Sequence, residues 1–158
     1  MFDLKKINIE IFKAIRDDDK IIDLLEIDKA SMDKDTFICA LRKQVLDTQK
    51  PDDLLNNYYT RICVHDTPGG NANDIEEVGY IAIDIHITQD KTAHDRRHLM
   101  IIKRIIEILD STNRRKLGLK PLNIGLYGLS YRRRQQDEMS NSTGWEKHTI
   151  IFEYKYLI

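Results

Sequence analysis

Between Val78 and Thr88 the chain sets Ile81, Ile83, Ile85 and Ile87 at alternate positions, with Tyr80, Ala82, Asp84, His86 and Thr88 between them. A strand turns successive side chains to opposite faces, so this pattern commits one face to a core and leaves the other more polar. A helix would scatter the same isoleucines around its axis. The fold must then supply a layer that covers the isoleucine face. The following segment offers one. From Thr92 to Leu109 the pattern predicts a long helix with Leu99, Ile102, Ile106 and Leu109 as its stripe, widened by Ile101, Ile105 and Ile108. Thr92 is its expected cap, with Asp95 in the first turn.

The other elements fall around this pair. Leu4, Ile7, Ile11, Phe12 and Ile15 recur at helical spacing behind Asp3, until Asp17-Asp18-Asp19 interrupts them. A short second helix is expected to carry Ile21, Ile22, Leu24 and Leu25, and a third to run from Asp33 to Leu46 on Phe37, Leu41 and Val45, with Ile38 beside them. Tyr59 to His65 reads as a strand entering a turn over Asp66–Asn71. Gly118 and Pro121 mark a linker, and Ile124–Gln135 and Trp145–Tyr156 read as the arms of a closing hairpin joined through Asn141–Gly144. Helices, two strands, one long helix and two strands make an α+β fold. The expectation is an antiparallel sheet of about four strands with helices packed on one face and extra N-terminal helices. The chain is read as one domain over residues 1–158, with a helical N-terminal region over residues 1–57 and a β-α-β core over residues 58–158.

Composition narrows the function classes. Across 158 residues, 41% are hydrophobic and 32% charged, enough apolar matter for a core and enough charge for a hydrated surface. The net charge of -1 lacks the overall basic excess of most nucleic-acid proteins. Cys39 and Cys63 form no CxxC pair and stand among apolar neighbours, so both are expected as buried free thiols. Met1–Lys6 opens no apolar leader, and no run nears the ~20 residues of a membrane span, so a cytosolic product without membrane partners is expected.

Candidate chemistry is sparse. His94 and His98 are four apart, and Asp84 and His86 share a strand face, the ingredients of a metal centre. The glutamate of HExxH is missing, and Arg96 and Arg97 disfavour a cation, so no metal is expected. Thr67-Pro68-Gly69-Gly70-Asn71 lacks the Lys-Ser/Thr ending of a phosphate loop and leads into acidic Asp74, Glu76 and Glu77. Ser130 lacks the second glycine of a nucleophile elbow. No catalytic residue and no cofactor are expected. The densest positive cluster is Arg132-Arg133-Arg134, with Arg96-Arg97 and Arg114-Arg115-Lys116 as others. On a regular strand three consecutive arginines cannot share a face. They read as a solvated hairpin edge that deters strand pairing, as interface ion pairs, or as phosphate contacts.

The order of the C-terminal elements carries a resemblance. A strand Tyr80–Ile87, a helix Thr92–Leu109, Leu129-Ser130-Tyr131-Arg132-Arg133, a polar loop Gln135–Asn141, Gly144-Trp145 and a closing strand Ile150–Tyr154 follow one another. This resembles the tail terminator, or tail completion, proteins of long-tailed bacteriophages, over residues 58–158. Arg61–Val64 leading to Pro68-Gly69 is similar to terminators from phages of low-GC Gram-positive bacteria. The N-terminal helices depart from the family, which usually has one helix before its first strand.

The resemblance implies a virion protein, assembled in the host cytoplasm, that forms a homo-oligomeric ring, commonly a hexamer. That ring ends tail-tube polymerisation at the head-proximal end and joins tail to head. Its implied partners are further copies of itself, the tail tube protein and a head-tail connector or stopper, with genomic DNA passing through without sequence-specific binding. On that basis Arg132, Arg133, Arg134, Asp137 and Glu138 are the candidate interface. Competing readings are a head completion or neck connector protein, a metal-dependent nuclease using Asp84, His86 and His94, and a binding module unrelated to phage.

Overall fold

The computed structural model describes residues 4–47, 59–71, 73–137 and 144–157. Its elements are α1 (Leu4–Arg16), α2 (Asp19–Leu24), a 3-10 turn (Lys29–Ser31), α3 (Lys34–Gln44), β1 (Val45–Leu46), β2 (Arg61–Asn71), β3 (Glu76–Thr88), α4 (Gln89–Asp95), α5 (Arg97–Leu109), α6 (Ser111–Lys116), β4 (Ser130–Asp137) and β5 (Trp145–Leu157). The fold is α+β as expected, but the sheet has five strands rather than about four, in the order β1-β2-β3-β5-β4. It is also mixed: β1 runs parallel to β2, while the other neighbours are antiparallel.

The isoleucine alternation does what its spacing requires. Ile81, Ile83, Ile85 and Ile87 are all fully buried, in one cluster with Ile62 and Val64 of β2, Ile150 and Phe152 of β5, and Ile101, Ile105 and Ile108 of α5. The same cluster takes in Ile7, Ile11 and Ile15 of α1 and Ile21 and Ile22 of α2, so the helices lie on one face of the sheet. Each buried isoleucine contributes about 1.5–3 kcal/mol of transfer free energy. Gly79 faces Tyr154 across β3 and β5, and a Cβ there would lie 2.1 Å from the tyrosine ring, so the ring fills the room that glycine leaves.

Four boundaries differ from the sequence reading. The expected helix Thr92–Leu109 is two helices. Arg96 adopts φ 52, and Asp95 accepts the Arg97 N–H at 3.0 Å, which starts α5 afresh. Glu26, itself at φ 60, takes Lys91 of α4 at 2.6 Å and also pairs with Arg97 of α5, fixing the break. The stripe of α5 is turned: Ile101, Ile105 and Ile108 are its buried centre, and Leu99 is exposed on its flank. The third helix stops at Gln44, and Val45–Leu46 pair with Ile62–Cys63 instead. Gln44 Nε2 donates to the Leu25 carbonyl at 2.8 Å and the Thr60 carbonyl at 3.1 Å, anchoring the switch from helix to strand.

The expected turn Asp66–Asn71 belongs to β2, which shifts register between Thr67 and Gly70. Gly69 allows that shift, because a Cβ there would sit 2.2 Å from the Val78 carbonyl oxygen. The expected arm from Ile124 becomes a strand only at Ser130, because Gly125 and Gly128 turn through positive φ. Residues 117–129 form a loop whose Leu126 N–H donates to the Lys155 carbonyl at 2.8 Å. Asn141–Thr143 of the hairpin connection lie outside the described residues. Cys63 is buried as expected, but Cys39 is exposed: Phe37 and Leu41 take the inward stripe of α3, and position 39 turns away from it. No helix among the described residues is long and apolar enough to cross a membrane.

Candidate functional site

The face of the sheet away from the helices carries the even positions of β3 and the odd positions of β5. Here the polar residues of the isoleucine strand meet the arginines of β4. Antiparallel pairing sets Asp84 opposite Thr149 and Cys63, and Ala82 opposite Ile151 and His65. Thr149 Oγ1 donates to Asp84 Oδ1 at 2.6 Å, and His65 Nε2 lies 2.8 Å from Asp84 Oδ2. Asp84 is 1% exposed. Each of its oxygens has a partner, so the carboxylate cross-links β2, β3 and β5.

β4 closes one side of this face. Its register against β5 shifts between Tyr131 and Arg133. A bulge adds one residue to the strand and breaks strict alternation. Arg132 and Arg133 consequently both line a shallow cavity of about 600 Å³ with Gln135, Lys147, Asp84 and Glu153. Arg132 is held there by Glu153, which receives its Nη2 and keeps the guanidinium charged by raising its pKa further. Arg134 turns to the helix side, beside Leu99, Ile102 and Tyr131. The expectation of arginines on both faces is met. The distribution is two and one, and the bulge sets the two next to each other. All three are exposed. Asp137 ends β4 opposite Lys147, but its side chain and the whole of Glu138 lie outside the described residues.

The residues weighed as metal ligands are not brought together. His94 falls on α4, its side chain outside the described set, while His98 falls on α5 after the break, so the two do not share a continuous helix. His98 stacks on His148 with ring centroids 4.6 Å apart, on the helix side of the sheet, opposite to Asp84 and His86. Among the described residues no group of three or more His, Cys, Asp or Glu converges on one point. His86 is 3% exposed and neither ring nitrogen has a hydrogen-bond partner among the described residues. Burial holds its pKa down at about 4, against an opposing pull from Asp84, so the ring is neutral near pH 7.

Sequence reading missed the Asp84–Thr149–His65 link. Its signal was a lone carboxylate centred in an isoleucine alternation, which must find donors on both flanking strands.

No protein-family model matches the chain, and no curated protein matches it by sequence. Among solved structures, it is similar to a chain from the virion of the native gene transfer agent (GTA) particle, with a TM-score of 0.57, 13% identity, and coverage of 96% of this chain and 95% of that one. At that identity the likeness is one of fold.

Proposed function

We propose that this protein is a virion structural subunit, and that it forms a homo-oligomeric ring at the head-proximal end of a tail tube, ending tube growth and joining tail to head. The observation that carries the reading is the fold shared along nearly the full length with a chain of a virion particle. The strand, helix, arginine arm and aromatic closing strand of residues 58–158 supply the finer assignment. The ring has six copies, with the tail tube protein on one face, a connector or stopper on the other, and DNA passing through its centre. Arg132 and Arg133 suit a contact role. They are exposed, they stand on an edge strand, and a closed cofactor pocket is not needed to explain them. A ring repeats one heterologous contact, so a small energy per contact is multiplied around the circle.

The test is complementation of a phage lacking this gene, read by electron microscopy. Tails of irregular length beside tailless heads support the terminator role. Tails of normal length joined normally to heads overturn it. Normal tails beside heads that lose their DNA would move the protein to head completion.

A further inference from the structure

The chain is nearly neutral, yet its charge is divided between the two sides of the sheet. From Ser111 to Gln136 there are seven Lys and Arg and no carboxylate. From Ile62 to Asp90 there are six carboxylates and no Lys or Arg. The first stretch is α6, its loop and the edge strand β4 short of its last residue, Asp137. The second is the β2–β3 hairpin after its first residue, Arg61, and the start of α4. In the strand order β1-β2-β3-β5-β4 they lie on opposite sides.

The pairing registers place both charges on the helix face of the sheet. Arg134 lies opposite Ile150, which lies opposite Ile83, which lies opposite Val64. The next row runs Tyr131, Phe152, Ile81 and Asp66. Three strand spacings, ~14 Å, separate its ends. Arg134 and Asp66 are both exposed, and neither makes an ion pair among the described residues. They are too far apart to neutralise each other within one copy.

Both edges are also open. β4 has a strand partner on one side only, and β1 covers β2 only at Ile62 and Cys63, leaving the outer edge of β2 from Val64 onward without a strand partner among the described residues. β4 runs antiparallel to β2, through two intervening antiparallel strands. A second copy moved sideways without being turned over therefore brings β4 to β2 in antiparallel orientation. Two β4 edges meeting each other would instead bring their arginines together, which disfavours the self-paired dimer and favours the head-to-tail contact that closes rings.

We propose that the β4 edge of one copy, through Arg134 and its neighbours, docks on the β2–β3 hairpin edge of the next copy, through Asp66 and Asp74. This rests on the ring reading above and names the two surfaces that make the ring.

The experiment compares wild type, Arg134→Glu, Asp66→Lys and the double variant by native mass spectrometry and sedimentation. Circular dichroism checks that each is folded. Wild type assembles, less well as salt rises, because exposed ion pairs are screened. Each single reversal raises the concentration of half-assembly by about tenfold or more, because one like-charge contact is repeated around the ring. The double variant swaps both edges and recovers assembly. An equimolar mixture of the two single variants recovers it too, because alternating copies satisfy every contact. If the single reversals assemble like wild type, or neither the double variant nor the mixture recovers, the edges do not meet, although the ring reading stands. If wild type stays monomeric at ~100 μM and low salt, the ring reading falls as well. If Arg134→Glu loses DNA binding while assembly is unchanged, the edge belongs to nucleic acid.

Discussion

Arg104 of α5 holds the carboxylate of Asp18, the residue that caps α2. Its Nε lies 3.0 Å from each Asp18 oxygen, while Oδ1 also accepts the Ile21 N–H at 2.9 Å. One aspartate thus satisfies an orphan donor of a six-residue helix and ties that helix to the layer covering the sheet. Both side chains are mostly buried, at 16% and 10% exposure. Asp18→Ala removes the cap and leaves a guanidinium half-buried with Glu107 as its remaining partner. The expected loss is about 2–4 kcal/mol. Asp18→Asn keeps a capping oxygen and should lose less. Urea titration checks both, with the midpoint falling and the slope unchanged. A midpoint of Asp18→Ala equal to wild type would show that this link does not stabilise the fold.

The contact between Gly79 and Tyr154 gives the second expectation. The tyrosine ring stands where a Cβ at position 79 would be, and Tyr154 is buried. Gly79→Ala must displace the ring, at about 1–3 kcal/mol for an overpacked site. If the cause is the ring, Gly79→Ala costs much less in a Tyr154→Leu background, and a double-mutant cycle reads the difference. Equal costs in both backgrounds would mean that the glycine serves the backbone alone.

These two sites also mark what could be read from the sequence. Alternation and helical periodicity report burial directly, so β3, α1, α2 and most of the helix layer were legible from apolar spacing. Events decided by the backbone or by distant partners were not. Val45 continues the helical stripe of Phe37 and Leu41, and only pairing with Ile62 makes it a strand. The break at Arg96 depends on Asp95 beside it and on Glu26 some seventy residues away. The bulge that sets Arg132 and Arg133 side by side is a register shift, visible only against β5. The arginines were legible as the densest positive cluster. Their opposite number on the hairpin was not, because it takes the strand order to show that the two charged stretches lie on opposite sides.

The cysteines provide an inexpensive check of the helix orientation. Cys39 is exposed on α3 and Cys63 is buried on β2. A thiol reagent should label one cysteine in the native protein and both in urea. Cys39→Ser should then leave no rapid labelling. Fast reaction of two thiols in the folded protein would show that the face of β2 bearing Cys63 is open to solvent.

His86 should make stability depend on acid. Its folded-state pKa is about 4, below the ordinary value of 6.5, chiefly because burial disfavours the charged ring. Between these two values the unfolded chain binds a proton that the folded chain refuses, so stability rises with pH across that window. The contribution is complete above about pH 6.5 and is lost as pH falls toward 4. Thr149 and His65 already occupy Asp84, and His86 has no hydrogen-bond partner to lose among the described residues. His86→Leu therefore replaces two unsatisfied nitrogens with an apolar side chain of similar bulk. It should leave stability at pH 7 unchanged or raise it by roughly 1 kcal/mol, and should flatten the decline between pH 6.5 and 4. Denaturant midpoints of both proteins at pH 7 and pH 5 read the two effects separately. A wild-type midpoint that does not fall from pH 7 to pH 5, or a variant that declines just as steeply, would show that His86 is not the group refusing the proton.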